Sequence, residues 1–177
     1  MPSSEGFVQG YNAQAAVDID SYLIVENHIT QQSNDKQEIE PTLKGLKETE
    51  AHLGKAEGLL ADAGYFSADN VKQCETADVV PYISDHRERH NRMWDERFKI
   101  LPPCPPDAVT AMARQLHTTE GKAIYAKRKS TVEPVLGILK EVMGFRRFHL
   151  RGLNAAQGEW NLVCMAWNLK RMYSLGS

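Results

Sequence analysis

Residues Gly10–Asp18 alternate and then run apolar, and Tyr22–Thr30 are rich in strand formers. Ile19-Asp20-Ser21 between them has turn chemistry, so the first thirty residues predict a β-hairpin. The period then changes. Ile39, Leu43, Leu46 and Leu53 recur at near-helical spacing, after the helix-start signal Ser33-Asn34-Asp35 (Asn34 or Asp35 as N-cap) and before Gly54 as the stop. Gly58–Ala61 reads as a short apolar strand ending at Asp62. Ser67 caps a second helix running to about Glu75, and Val79–Ile83 reads as a further strand, edge-like because of Pro81. Strand, strand, helix, strand, helix, strand is an α/β order.

From Ser84 to Pro106 the pattern breaks. A charged stretch gives way to four prolines in five positions around Cys104, which forbids a continuing helix and predicts an insertion or linker at about 84–106. Helical pattern resumes over Asp107–Leu116, with a turn at Gly121, then over Ile124–Ser130 and Pro134–Met143 up to Gly144. A last helix spans Ala155–Tyr173, its apolar face carrying Trp160, Leu162 or Val163, Ala166, Trp167 and Leu169. No internal repeat or low-complexity segment is present.

Composition narrows the class. The chain has 177 residues, 42% hydrophobic and 25% charged, as in an ordinary soluble domain, which excludes collagen-like, disordered and disulfide-dense proteins. No apolar run approaches the ~18–20 residues of a membrane span, and the start lacks the basic end and apolar core of a signal peptide. Cys74, Cys104 and Cys164 are isolated, which predicts reduced structural thiols and a cytoplasmic protein. The net charge of −2 hides an asymmetry: residues 1–111 carry 10 basic and 19 acidic side chains, residues 112–177 carry 11 and 4. Acids around metal ions with a basic surface along a polyanion would produce this split, and so would charge pairing within the fold.

Three places carry candidate chemistry. Asp62 ends a strand, where α/β sheets gather ligands; it is also a residue type that closes turns by accepting backbone hydrogen bonds. Glu133 follows Lys122, Lys127, Arg128 and Lys129, and Lys140 stands seven residues on, about two helical turns or 10 Å along the same face. An acid that holds a metal, with a cation two turns away, suits a grip on a phosphodiester. Ser130-x-x-Glu133 with Pro134 also fits a capping box. Gly144–Arg151 interleaves Phe145 and Phe148 with Arg146, Arg147 and Arg151, a pattern for phosphates and bases or for a solvated basic loop. Tyr125 and Arg128 are three apart. His86 and His90 have the spacing of a helical metal pair, but no third ligand accompanies them, and they read as a solvated face. There is no Gly-rich phosphate loop, nucleophile elbow or paired-cysteine zinc signature.

These residues together resemble the Asp-Asp-Glu transposases of bacterial insertion sequences. The blocks are GYNAQAAVD, NDKQ, LLADAGYFS around Asp62, YAKRKSTVEPVLGILKEVMGFRRFHLRGL around Glu133, and EWNLVCMAWNLKRM near the end. The resemblance implies an RNase H-like mixed sheet flanked by helices, over residues 1–177. It makes Asp62 the second catalytic acid and Glu133 the third, both metal ligands for Mg²⁺ or Mn²⁺ in two-metal phosphoryl transfer. Tyr125, Arg128, Glu133 and Lys140 match the Tyr–Arg–Glu–Lys signature, with one departure: four residues rather than three separate Arg128 from Glu133, and Lys129 has the expected spacing. Lys140 and Arg128, with Tyr125, Arg146 and Arg147, are expected on DNA. The family's first Asp lies in a first strand, whereas Asp18 here falls at the hairpin turn. The expectation is therefore a C-terminal portion lacking its first strand and first Asp, with Asp18 as the alternative first acid. The implied function is metal-dependent cleavage and transfer of transposon-end and target DNA, by a homo-oligomer when full length and without a membrane. The alternative is an inactive remnant that binds DNA or a full-length transposase.

Overall fold

The computed structural model describes residues 10–84 and 107–176 and the backbone of 2–3 and 6–7. The chain groups into two compact units, Met1–Lys55 with Lys127–Ser177, and Ala56–Ala126. Apart from Ser84, the proline-rich stretch expected at about 84–106 lies outside the described residues, as do His86, His90 and Cys104.

In the first unit, Pro2–Ser3 (β1) and Gly6–Phe7 (β2) make a short antiparallel pair. The expected hairpin is Asn12–Val17 (β3) against Ile24–Thr30 (β4), with Ala13 opposite Ile29 and Ala15 opposite Asn27. The register shifts between Ala16 and Val17, so that Ala16 faces Glu26 but Val17 faces Ile24. The extra residue, Val25, is a bulge that returns Ile24 to the face of Ile29.

That apolar face meets two long helices. Ile24 and Ile29 cluster with Val135 and Leu139 of one and with Ala156, Trp160, Cys164 and Trp167 of the other. Fully burying a side chain of this size stabilises by about 1.5–3 kcal/mol. Polar side chains of the last helix also satisfy hairpin backbone. Asn168 accepts from Ile24 N and donates to Ile24 O, both at 2.8 Å, and Gln157 accepts from Ile29 N at 2.7 Å. The Trp160 indole donates to Gln14 O at 2.9 Å, the Trp167 indole to Tyr22 O at 2.8 Å, and Arg171 Nε to Ser21 O at 2.7 Å.

The other face of the hairpin is polar and lies under Ile39–Leu53 (α1), whose Ile39 and Leu43 are buried. The helix starts later than expected. Asn34 caps a single 3₁₀ turn, Asp35–Gln37, by accepting from Lys36 N, and Glu38 is the N-cap of α1. Gly54 ends α1 at a φ of +85°, which only glycine adopts without strain.

In the second unit, Gly58–Ala61 (β5) and Val80–Ile83 (β6) pair in parallel, Gly58 opposite Val80 and Ala61 opposite Ile83. Their crossover is Ala68–Thr76 (α2), capped by Ser67, which accepts from Asn70 N at 3.1 Å. Ala108–His117 (α3) is capped by Asp107 and donates through Gln115 Nε2 to the Tyr82 hydroxyl at 2.9 Å. The break after α3 is at extended Thr118, not at Gly121 as expected. Gly121 sits inside the next helix, where a Cβ would collide with the Gln115 carbonyl oxygen.

That helix, Thr119–Glu141 (α4), is continuous and contains Pro134. The two helices expected here are therefore one, and the Ser130–Glu133 capping box does not form. Ser130 Oγ and Thr131 Oγ1 instead donate back to Lys127 O at 3.0 and 2.7 Å. Proline removes one N–H, a loss that packing of buried Val135 and Leu139 offsets. The last helix is Leu153–Leu175 (α5). Its buried face is Ala156, Trp160, Cys164 and Trp167; of the expected alternatives Leu162 and Val163, Val163 packs half-buried against it, whereas Leu162, and Ala166 and Leu169 of the expected apolar face, are exposed. Apolar residues occupy two opposite sides of α5, and periodicity alone did not say which side meets the hairpin. Among the described residues no helix is long and apolar enough to cross a membrane.

Candidate functional site

Asp62 stands at the carboxyl end of β5, as the apolar run Gly58–Ala61 predicts, and is exposed. Its Oδ1 accepts from Ala63 N at 2.7 Å, capping the one-turn 3₁₀ helix Ala63–Tyr65. Asn70 Nδ2 donates to Tyr65 O at 2.7 Å and fastens that turn to α2. The turn-closing role and an outward carboxylate thus coexist. Tyr125, half-buried on α4, belongs to the same unit as Asp62.

The remaining predicted residues belong to the first unit. Glu133 and Lys140 are both exposed on α4. In a continuous helix at 100° per residue, Lys129, one turn before Glu133, shares its face, while Arg128, five residues before, is turned about 140° away. Arg128 is half-buried and Lys129 exposed. Lys127 Nζ lies 3.8 Å from Asp20 of the hairpin turn.

Lys140, Arg146 and Arg147 come together in an open pocket of about 1020 Å³. The sequence pattern named these three and Arg151; the fold adds Tyr11 and Gln31 to the wall. No local signal could have found Tyr11 or Gln31, which arrive from the hairpin. The floor is aromatic: Phe145 stacks on Trp160 with ring centres 5.8 Å apart, and Phe148 meets Phe145 edge-on at 5.1 Å. The basic loop is held in shape. Glu159 accepts from His149 N and Leu150 N at 2.9 and 3.0 Å and from His149 Nδ1 at 2.9 Å, while Gly152 N donates to the Tyr11 hydroxyl at 2.7 Å. The Leu150 amide, ahead of His149, keeps the Glu159 carboxyl below its ordinary range. Arg146 pairs with Glu141. Among the described residues Lys140, Arg147 and Arg151 have no acidic partner, so the rim carries uncompensated positive charge.

Asp18 closes the hairpin turn. Its Oδ2 accepts from Ser21 N at 2.8 Å and Ser21 Oγ at 2.5 Å. Burial would raise its pKa, but those bonds outweigh it and hold the carboxyl below the ordinary value. Among the described residues no three His, Cys, Asp or Glu side chains are grouped to hold a metal ion.

Compared with known families, residues 3–169 match the model of the transposase DDE domain. The chain belongs to the transposase DDE domain family. No curated protein and no solved structure gave a match. The function of this transposase domain is transposition, and its α/β construction agrees with an RNase H-like core. DDE transposases as a family bind DNA and generally use a divalent metal.

Proposed function

We propose that this chain supplies Asp62 and Glu133 as catalytic, metal-binding acids of a bacterial transposase that cuts and joins DNA at transposon ends and target, in the cytoplasm and, when full length, as a homo-oligomer. The observation that carries the reading is the family match across Asp62 and Glu133, with Asp62 exposed at a strand's carboxyl end. Both acids are exposed oxygen donors, which suits a hard cation such as Mg²⁺ or Mn²⁺. Bound there, the cation supplies Lewis acidity for phosphodiester transfer. The chain's own residues do the holding: Lys140, Arg146 and Arg147 bear on the DNA backbone, and Tyr125 and Arg128 assist along α4. Lys129 joins them as the cation sharing the face of Glu133.

A third carboxylate is needed, and the Asp18 turn bonds favour a source other than Asp18. We read the first acid as lying outside the described residues. The same bonds support a second reading, a chain that binds DNA or a full-length transposase without cutting. Incubating the full chain with transposon-end DNA in Mg²⁺ or Mn²⁺ separates them. Nicking that persists in Asp18→Ala but disappears in Asp62→Ala and in Glu133→Ala supports the first reading. Salt-sensitive binding without nicking under either metal supports the second.

A further inference from the structure

The side of α5 turned away from the hairpin is as apolar as the side that packs on it. Leu162, Met165, Leu169, Met172 and Tyr173 are 54–80% exposed. Leu162, Met165, Leu169 and Met172 are spaced 3, 4 and 3 residues apart, and the same spacing continues backwards through Gly158 and Ala155. This is the spacing of a coiled-coil seam, with Ala155, Leu162 and Leu169 in one row and Gly158, Met165 and Met172 in the other. Trp160 and Trp167 fall on the opposite side of the helix, where they anchor it to the hairpin backbone.

We infer that this face pairs with the same face of a second copy of the chain. Two observations favour a copy over another partner. A seam spaced 3 and 4 is self-complementary: the knobs of one helix fit the holes of its duplicate, giving a closed two-fold contact. Its rim also sets no like charges against each other, since the flanking positions are Asn161, Ala166, Asn168 and Tyr173, and Glu159 is occupied with His149 and Leu150. At roughly 100 Å² a side chain, the pair buries on the order of 1,000 Å², the lower bound of a specific interface. The inference deepens the oligomer proposed above and rests on that reading for its purpose, but not for its geometry.

Sedimentation of the full chain over about 1–100 µM, the range expected of an interface this small, is the test. The expected result is a monomer–dimer equilibrium that the double variant Leu162→Glu/Leu169→Glu abolishes, and that Lys170→Glu, off the seam, leaves in place. The double variant should keep the helical circular dichroism and melting temperature of the parent. A parent that stays monomeric overturns the inference, as does a double variant that still dimerises. A lower melting temperature in the double variant of a monomeric parent would show that the chain itself covers this face, and also overturns it. Because association is read without DNA or metal, the result stands apart from the cleavage assay.

Discussion

His28 Nε2 stands 2.9 Å from Glu38 Oε2, joining strand β4 to the N-cap of α1 across a buried polar layer. The other ring nitrogen, Nδ1, is 3.0 Å from Glu26 Oε1. Glu26 and Glu38 are both buried, and the second oxygen of each lacks a hydrogen-bond partner among the described residues. With carboxylates on both sides, the imidazole bridges two negative groups and satisfies both best as the imidazolium. Thr42 and Gln14 complete the layer, and Asp35 lies beyond, accepting from Asn12 and Gln14.

Burial alone would lower the His28 pKa, but hydrogen bonds to Glu26 and Glu38 and their charge outweigh it and raise it. A raised folded pKa stabilises fully below the unfolded value of about 6.5 and is lost as pH rises through the folded value. Urea unfolding should therefore show stability declining from mildly acidic to alkaline pH, with the decline absent in His28→Gln. His28→Ala, which leaves two buried carboxylates facing an empty site, should cost about 3–5 kcal/mol near neutral pH.

Asn168 serves both backbone groups of Ile24. Asn168→Ala should lower stability by about 1–3 kcal/mol through unsatisfied main-chain groups, read as a fall in denaturant midpoint without a change in slope. A neutral result would mean that water replaces the side chain at the hairpin edge.

Gly121→Ala should destabilise the junction of α3 and α4 by about 1–3 kcal/mol despite alanine's higher helix propensity, because the methyl collides with backbone rather than a yielding side chain. Thermal unfolding by circular dichroism measures this directly.

Arg147 and Arg151 line the basic pocket without acidic partners among the described residues. If they neutralise phosphates, each substitution by Ala should weaken DNA binding across unrelated sequences and reduce the slope of log K against log salt by about 0.9. Fluorescence anisotropy at several salt concentrations reports the slope. Unchanged slopes would place the DNA elsewhere.

Cys74 and Cys164 are buried, and burial pushes their thiols up to about 11 and about 12. Neither should react with iodoacetamide at neutral pH in the folded chain, and both should react in denaturant, as mass spectrometry of peptides would show.

Read as a sequence, the chain already specified its hairpin, its two further short strands, Ser67 as a cap, Gly54 as a stop, and Asp62 at a strand end. Those features depend on period, turn chemistry and capping, which act between residues close along the chain. The acids and cations were legible as residue types at set spacings, down to Lys140 two turns beyond Glu133. What the tertiary structure alone decided concerns surfaces brought together from far apart. Pro134 does not break α4, because packing of Val135 and Leu139 outweighs one missing N–H. Of two apolar sides of α5, the one with Trp160 and Trp167 faces the hairpin, because their indoles, with Asn168 and Gln157, also meet its backbone. Tyr11 and Gln31 join a basic pocket more than a hundred residues away, and His28 finds Glu38 across the strand–helix layer. No local pattern encodes such pairings: their free energy comes from burial and polar satisfaction, which exist only once the chain has folded.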